Sequence, residues 1–240
     1  MSEDHQEVEY WRFNIFHRFT HVLIMISFFG SALTGMALKY YRTGWASWLI
    51  RVTGGVPVFG LLHRFCAIVI AGWVLMHLLY ILYVVIVLRR APWGSQTTVP
   101  VPKDLVDLWQ SLKYFVGLGQ PPQFERFTYF EKFDYLAVFW GVPVIGLSGL
   151  VLWFPELATR FLPGIAINIA HIMHSDEAVL AVGFIFVVHM YNTHLQPRKF
   201  PLNKVIFTGK VTAEEIKEDH PLEWKRLQEE PALEQELRVR

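Results

Sequence analysis

The sequence predicts an all-α integral membrane protein: a four-helix bundle with an amphipathic inner-surface helix and a cytoplasmic C-terminal tail. Hydrophobic residues make up 53% of the 240 residues and charged residues only 18%, which is too apolar for an ordinary soluble domain. Four stretches contain no Asp, Glu, Lys or Arg: residues 19–38, 65–88, 135–155 and 178–197. Because about 20 helical residues cross a hydrocarbon core of about 30 Å, each stretch is long enough to span a bilayer.

The positions of Lys and Arg predict the orientation of the spans. With the N-terminus inside, the segments 1–20, 89–134 and 196–240 are also inside, and they hold 17 of the 22 basic residues. The positive-inside rule then places both termini in the cytoplasm. The N-terminal MSEDHQEVEYWRF has no basic region followed by a cleavable apolar core, so we expect no removable signal peptide and a retained first span.

The segments outside the spans carry two helix signals. Apolar side chains recur at helical spacing within residues 102–117, which predicts a short amphipathic helix on the inner membrane surface: Leu105, Leu108, Leu112, Phe115 and Val116. In the polar tail, Thr212 followed by Glu215 predicts a capped short helix. We therefore expect a four-helix transmembrane domain over residues 1–200 and a cytoplasmic tail over residues 201–240.

Histidines lie near both ends of the apolar helices predicted for spans two and four: His63, His77, His174 and His189. Imidazole is costly in hydrocarbon, so histidines at matching depths indicate a shared partner. The partner that suits them best is haem iron held by two axial histidines, with one haem near each membrane face. Fourteen helical residues advance about 21 Å and fifteen about 22 Å, so one helix face serves two stacked haems.

More histidines are available than two haems require. At the inner level His21, His77 and His189 compete for two axial positions, and at the outer level His171 rivals His174. A different interpretation makes all of them interfacial residues, or residues that form hydrogen bonds between helices.

The remaining histidines and the cysteine are given other roles. His17 and His194 fall at the inner interface, either as neighbours of a haem propionate or quinone or as simple interface anchors. His5 and His220 are expected to be ordinary surface residues. Cys66 is the only cysteine, so a disulfide, an iron–sulfur cluster and a covalent haem attachment are excluded within this chain, and any haem is held non-covalently.

Glycines in spans one and three give weak support for a flat cofactor. They remove side chains at points where a macrocycle presses against a helix: Gly30, Gly35, Gly146 and Gly149. The same residues also permit close packing between helices, and the sequence leaves both readings open.

Four segments together carry a likeness to a known family: RFTHVLIMISFFGSALTG, LLHRFCAIVIAGWVL, EKFDYLAVFWGVPVIGLSGLVLWF and AHIMHSDEAVLAVGFIFVVHMY. In order and spacing they resemble the membrane cytochrome b, or gamma, subunits of respiratory formate dehydrogenases and their di-haem relatives. The resemblance covers nearly all of the chain. It implies an outer haem b with the iron ligands His63 and His174, and an inner haem b with His21 and His189. His77 is then an additional histidine, or the inner ligand in place of His21.

The resemblance also implies a quinone site beside the inner haem, just before span three. There the segment FTYFEK carries Thr128 and Glu131 where the relatives have Asn and Gln, so this chain departs from the family pattern. A carboxylate such as Glu131 exchanges a proton with quinone, which an amide does not do. In the alternative interpretation, Glu131 and Lys132 only mark the lipid interface.

Together these features predict a membrane-anchoring di-haem cytochrome b subunit of an oxidoreductase complex in the bacterial cytoplasmic (inner) membrane. We expect it to transfer electrons between a periplasmic redox subunit and the quinone pool, with two haem b and with menaquinone or ubiquinone as substrate. The expected partners are membrane lipid and an iron–sulfur protein, a molybdoenzyme, a hydrogenase or a multihaem cytochrome c; nothing indicates nucleic acid. The alternatives are a haem-binding anchor without quinone chemistry and a haem-free transporter with a histidine proton relay.

Overall fold

The computed structural model describes residues 8–94 and 96–239, so the expectation for His5 lies outside the described residues. The described chain is mostly helical, with very few residues in strands, which confirms the predicted all-α class. It divides into two compact units. The terminal unit contains the described residues of 1–19, 81–136 and 201–240, and the histidine unit contains residues 20–80 and 137–200.

Four helices among the described residues are long and apolar enough to cross a membrane, as predicted. Their bounds are Ile15–Lys39 (span one), Val56–Val87 (span two), Tyr129–Trp153 (span three) and Ile165–Leu195 (span four). All four spans begin before the uncharged stretches that predicted them. The helices carry charged residues inside their ends, where a long side chain can reach water.

Spans two and four end in π-helical turns. These turns are Tyr83–Val87 in span two, and Ile185–His189 and Tyr191–Leu195 in span four. A π turn holds one more residue than an α turn and is frequent at functional sites. The π turn Ile185–His189 takes up one extra residue, so the fifteen residues from His174 to His189 rotate about as far around the helix axis as fourteen α-helical residues. Both histidines therefore stay near one helix face.

Short helices lie in the connections of the histidine unit. One follows span one over Gly44–Val52, and another follows span three over Pro155–Ala158. The first of these is held by a small apolar core, which buries its side chains together with residues of the adjoining spans: Ala37, Ala46, Ile50 and Phe59. This core fixes the loop between spans one and two.

The predicted amphipathic helix is present over Pro102–Phe115. Its apolar face is exposed, with Leu105 and Phe115 each 72% exposed, whereas Asp107 on its polar face is only 5% exposed. Exposed apolar surface costs about 25 cal/mol per Å² in water, so this face suits a hydrocarbon border.

The terminal unit contains a small sheet that the sequence did not predict. Strand β1, Glu9–Trp11, lies between β2, Lys210–Thr212, and β3, Arg238–Val239, and both pairings are antiparallel. The segment before span one is thereby joined to the tail. Beneath the sheet lies an apolar core: Tyr10, Val211, Ile216 and Leu227.

Four short helices form the rest of the tail: Val205–Thr208, Ala213–Asp219, Pro221–Glu229 and Pro231–Leu237. The predicted cap is confirmed, because Glu215 N donates to Thr212 Oγ1 at 3.2 Å and Thr212 N donates to Glu215 Oε2 at 3.0 Å. Gly209 has a φ of +81°, and a Cβ there would lie 2.5 Å from the carbonyl oxygen of Phe13. A glycine is therefore needed where the tail passes the N-terminal segment. The expected domain boundary at residue 200 stays a prediction.

Candidate haem-binding site

Two pairs of histidine rings face each other in the histidine unit. In the first pair, the ring centroids of His63 and His174 lie 6.1 Å apart, with the ring planes at 84°. In the second pair, the centroids of His21 and His189 lie 6.4 Å apart, with the planes at 31°. The structure thus brings together residues from span two with span four, and from span one with span four.

Both rings of the first pair are held through Nδ1. The Nδ1 of His63 lies 3.0 Å from Thr34 Oγ1, and the Nδ1 of His174 lies 2.9 Å from the carbonyl oxygen of Ile145. Histidines that bind a metal are oriented in this way by a hydrogen bond to the other ring nitrogen. Each ring is therefore prepared to bind through Nε2.

Glycines make room for the same two rings. A Cβ at Gly35 would lie 3.1 Å from His63 Cε1, and a Cβ at Gly149 would lie 3.0 Å from His174 Cε1. These distances are tighter than ordinary van der Waals contact, so a larger residue would displace the ring. The glycines predicted to border a flat cofactor thus border the histidines themselves at these two positions.

His21 in the second pair has an unsatisfied nitrogen. Its Nδ1 is buried and makes no hydrogen bond to any other residue that the structure describes. A buried polar atom without a partner costs about 1–3 kcal/mol, so each one requires an explanation. Unlike the rings of the outer pair, the His21 ring is not oriented by a hydrogen bond to Nδ1 from the described residues.

The other candidate ligands lie in different surroundings. His77 stacks on Trp73 with centroids 5.4 Å apart and planes at 7°, and its ring lies 5.9 Å from that of Phe139. His171, the outer-level rival of His174, is exposed. The spacing of histidines along the sequence did not show that His77 and His171 lie outside the facing pairs.

Comparison with known proteins identifies the family. The family model described as prokaryotic cytochrome b561 matches residues 12–201, a segment that includes all four spans and both histidine pairs. The chain belongs to the prokaryotic cytochrome b561 family. No curated protein matches the chain significantly.

Membership of this family gives the general character of the protein. It is a multi-pass membrane protein that binds haem b and takes part in electron transfer. The predicted membrane cytochrome b family is thereby confirmed. The closer likeness to formate dehydrogenase subunits stays a prediction, as do the number of haems, the quinone site and the ligand assignments.

The two histidine pairs fit haem b. An imidazole nitrogen binds a metal ion at about 2 Å and the ring centroid lies about 1 Å further, so two axial rings on one iron have centroids about 6 Å apart. The separations of 6.1 and 6.4 Å meet this requirement. The donors are imidazole nitrogens from facing transmembrane helices, which suits non-covalent axial ligation.

Thr128 and Glu131, the predicted quinone residues, form a reciprocal helix cap. Thr128 N donates to Glu131 Oε2 at 2.7 Å, and Glu131 N donates to Thr128 Oγ1 at 3.2 Å. This capping box starts span three, and the motif T-x-x-E already carried that signal in the sequence. The two residues thus have a structural role, and their role toward quinone stays a prediction.

A buried charge cluster in the terminal unit was not predicted. Glu223 accepts from Arg12 Nη1 at 2.6 Å and from Arg126 Nη1 at 2.9 Å. His220 donates from Nδ1 to the carbonyl oxygen of Glu125 at 2.7 Å, and its Nε2 lies 3.1 Å from Arg12 Nη2. The expectation that His220 is a surface residue is wrong, because it is only 6% exposed.

Electrostatics in the cluster favour a neutral histidine and a charged glutamate. Burial lowers the pKa of His220, and the neighbouring Arg12 lowers it further. Burial by itself raises the pKa of Glu223, but Arg12 and Arg126 outweigh this effect and hold that pKa below its ordinary value. The cluster joins the N-terminal segment, the segment before span three and the tail.

We expect acidification to loosen the terminal unit through His220. The folded unit keeps this ring neutral where an unfolded chain would protonate it, because its folded pKa is lowered. The free energy of unfolding is therefore unaffected by this ring above the ordinary histidine pKa of about 6.5. It decreases as the pH falls from there toward the lower pKa of the folded state. Hydrogen exchange of the tail helices from neutral to acidic pH measures this loss.

The control for this prediction is His220→Gln, whose amide donates and accepts without titrating. The variant should lack the histidine part of the pH dependence. Equal acid sensitivity of the tail in both proteins would exclude His220 as its cause.

Proposed function

We propose that this protein carries electrons across the bacterial cytoplasmic membrane, between a periplasmic redox partner and quinone on the cytoplasmic side. The observation that carries the proposal is the presence of two facing histidine pairs, one at each end of a fifteen-residue interval of span four. Such an interval covers about 22 Å along the helix, most of a hydrocarbon core of about 30 Å. Bound haem b would supply a one-electron redox centre at each pair.

The proposed ligands are His63 and His174 for the outer haem and His21 and His189 for the inner haem. Thr34 and the carbonyl of Ile145 support the outer assignment, because they hold Nδ1 and orient Nε2. The facing rings of His21 and His189, with centroids 6.4 Å apart, support the inner one. His77, stacked on Trp73, is proposed as a neighbour that fixes packing in this part of the bundle.

The orientation and partner are proposed on chemical grounds. The excess of Lys and Arg in the segments 1–20, 89–134 and 196–240 supports cytoplasmic termini. The outer pair would then exchange electrons with a periplasmic iron–sulfur protein, molybdoenzyme, hydrogenase or multihaem cytochrome c. At the other face, menaquinone or ubiquinone would react near the start of span three, where protons come from the cytoplasm.

The quinone reaction is tested with the purified protein in liposomes. We expect added quinol to reduce its b-type absorption spectrum and a quinone-site inhibitor to block that reduction. If dithionite reduces the haem spectrum but neither quinol nor quinone exchanges electrons with it, this proposal is wrong.

A Glu131→Gln variant separates proton chemistry from helix capping. Glutamine preserves the cap, because its amide oxygen still accepts from Thr128 N, but it does not carry a proton. If Glu131 serves quinone, the rate of haem reduction by quinol should fall by about 10²-fold or more while the haem content stays unchanged. Full quinone turnover in the variant would leave Glu131 as a cap only.

A matched Thr128→Ala variant tests the cap itself. It removes the hydroxyl that accepts from Glu131 N, which costs about 1 kcal/mol of helix stability. Thermal stability should then fall in Thr128→Ala and stay close to that of the unaltered protein in Glu131→Gln.

A haem-binding anchor without quinone chemistry is the second candidate function. The capping box favours it, because both predicted quinone residues already satisfy each other. The quinol experiment decides between the two functions. A haem-free transporter is no longer supported, since the family is one of cytochromes.

A further inference from the structure

A charged cavity of about 170 Å³ lies in the terminal unit, between the amphipathic helix and the segment before span three. A buried water molecule requires about 10–15 Å³ of such space, so the cavity has room for several. Its charged lining comes from both sides: Lys103, Asp104, Asp107, Glu125 and Lys132. The lining is polar enough to hold water rather than stay dry.

Two ion pairs form much of the wall. Lys132, which is 3% exposed, lies 2.9 Å from Asp104 Oδ1, and Lys103 lies 2.6 Å from Asp107 Oδ2. Three of these four residues are buried, and buried charges persist only when paired and hydrogen-bonded. All four carboxylate oxygens of these pairs accept from a lysine, and Asp104 Oδ2 also accepts from Val101 N at 2.6 Å. A carboxylate oxygen has two lone pairs, so the oxygens with a single donor can also accept from water.

Glu125, which also lines the cavity, offers a place for water. Its Oε2 and Arg226 Nε are both buried and lie 3.6 Å apart, and neither atom makes a hydrogen bond within the described ranges 8–94 and 96–239. A water that bridges the carboxylate and the guanidinium would complete the bonding of both.

The cavity ends at the first turn of span three. Lys132 follows Glu131 in the chain, and its backbone N–H donates to the carbonyl oxygen of Thr128 at 3.1 Å. The residues that cap this helix and the residue that lines the cavity therefore belong to a single helical turn.

We propose that the cavity is the proton conduit of the quinone reaction. Glu125 and Asp107 hold its water, and the pair of Lys132 and Asp104 passes the proton to the start of span three. The inference rests on the proposed function. Reduction of one quinone takes two electrons, which the redox partner supplies one at a time, and two protons from this water, which form the two O–H bonds of quinol. Quinol oxidation returns both protons along the same water.

The test uses the haem-loaded full chain in liposomes with decylubiquinol and a short-chain menaquinol analogue as probes. An Asp107→Asn, Glu125→Gln double variant keeps the cavity shape but removes two carboxylates. Stopped-flow absorbance should show haem reduction slowed by about 10- to 100-fold, near the lower end for a lost proton-transfer group. Added acetate, a small diffusible base that accepts the protons released by quinol, should restore much of the rate.

The matched control is Glu229→Gln, which neutralises a carboxylate that is 65% exposed and paired with Lys225 in the same unit. It should react at the unaltered rate. A double variant that is as fast as the control overturns the conduit and leaves the proposed function intact. A slow variant that acetate does not restore also overturns it, because the defect is then structural. If the unaltered protein itself fails to react with either quinol, the proposed function falls together with the conduit.

Discussion

A His174→Ala variant is expected to lose one b haem per chain and to retain the other. The change removes one ring of the His63 and His174 pair, whose centroids lie 6.1 Å apart, and leaves the His21 and His189 pair unaltered. Since a haem without one of its two axial ligands is held weakly, pyridine haemochrome analysis should give about half the haem content. Loss of the low-spin spectrum of that haem should accompany it.

The control for this prediction is His171→Ala, one turn earlier on the same helix. His171 is exposed, so the variant should retain the full haem content. If His171→Ala loses a haem and His174→Ala does not, the ligand of the outer haem has been assigned to the wrong residue.

The second large effect is expected at His21. A His21→Ala variant should lose the inner haem and, with it, electron exchange with quinol, because His189 then has no facing ring on span one. A His77→Phe variant, which keeps an aromatic ring against Trp73, should retain both haems. Haem content and the rate of haem reduction by quinol measure the two outcomes.

The reverse result would change the pairing. If His77→Phe loses a haem while His21→Ala keeps both, span two supplies both His63 and His77 as ligands. That is the pairing that histidine spacing alone suggests. The proposed electron path would remain, but its inner ligand would move to span two.

The spans and one cap could be predicted because their signals are local. Long uncharged stretches gave four spans, and Thr212 with Glu215 gave a tail cap. The same kind of motif at Thr128 and Glu131 was interpreted through a family resemblance as a quinone site. The reciprocal hydrogen bonds show that the local signal for a cap was also present there.

The choice between His21 and His77 could not be made from spacing. The face on which His189 lies depends on the π turn Ile185–His189, and no simple pattern in the sequence marks such a turn. It also depends on how span one is rotated toward span four. The depth of each histidine in the membrane could be predicted from the sequence, whereas the rotation of each helix about its own axis could not.

The terminal unit was missed for a different reason. Arg12 and Glu223 are 211 residues apart in the chain, and β1 pairs with strands that lie at least 199 residues further along. Contacts at such separation follow from the tertiary fold and leave no periodic signal. The sequence therefore predicted only a polar cytoplasmic tail with a short capped helix, although this tail buries His220 and Glu223.

The most direct test of two bis-histidine b haems is electron paramagnetic resonance of the oxidised, purified protein, together with its haem content. Axial rings at a steep angle give a highly anisotropic low-spin signal, and more parallel rings give a rhombic one. With ring planes at 84° and 31°, we expect two haems per chain and one signal of each kind. A single haem per chain, or a high-spin signal in place of either low-spin signal, would contradict the account.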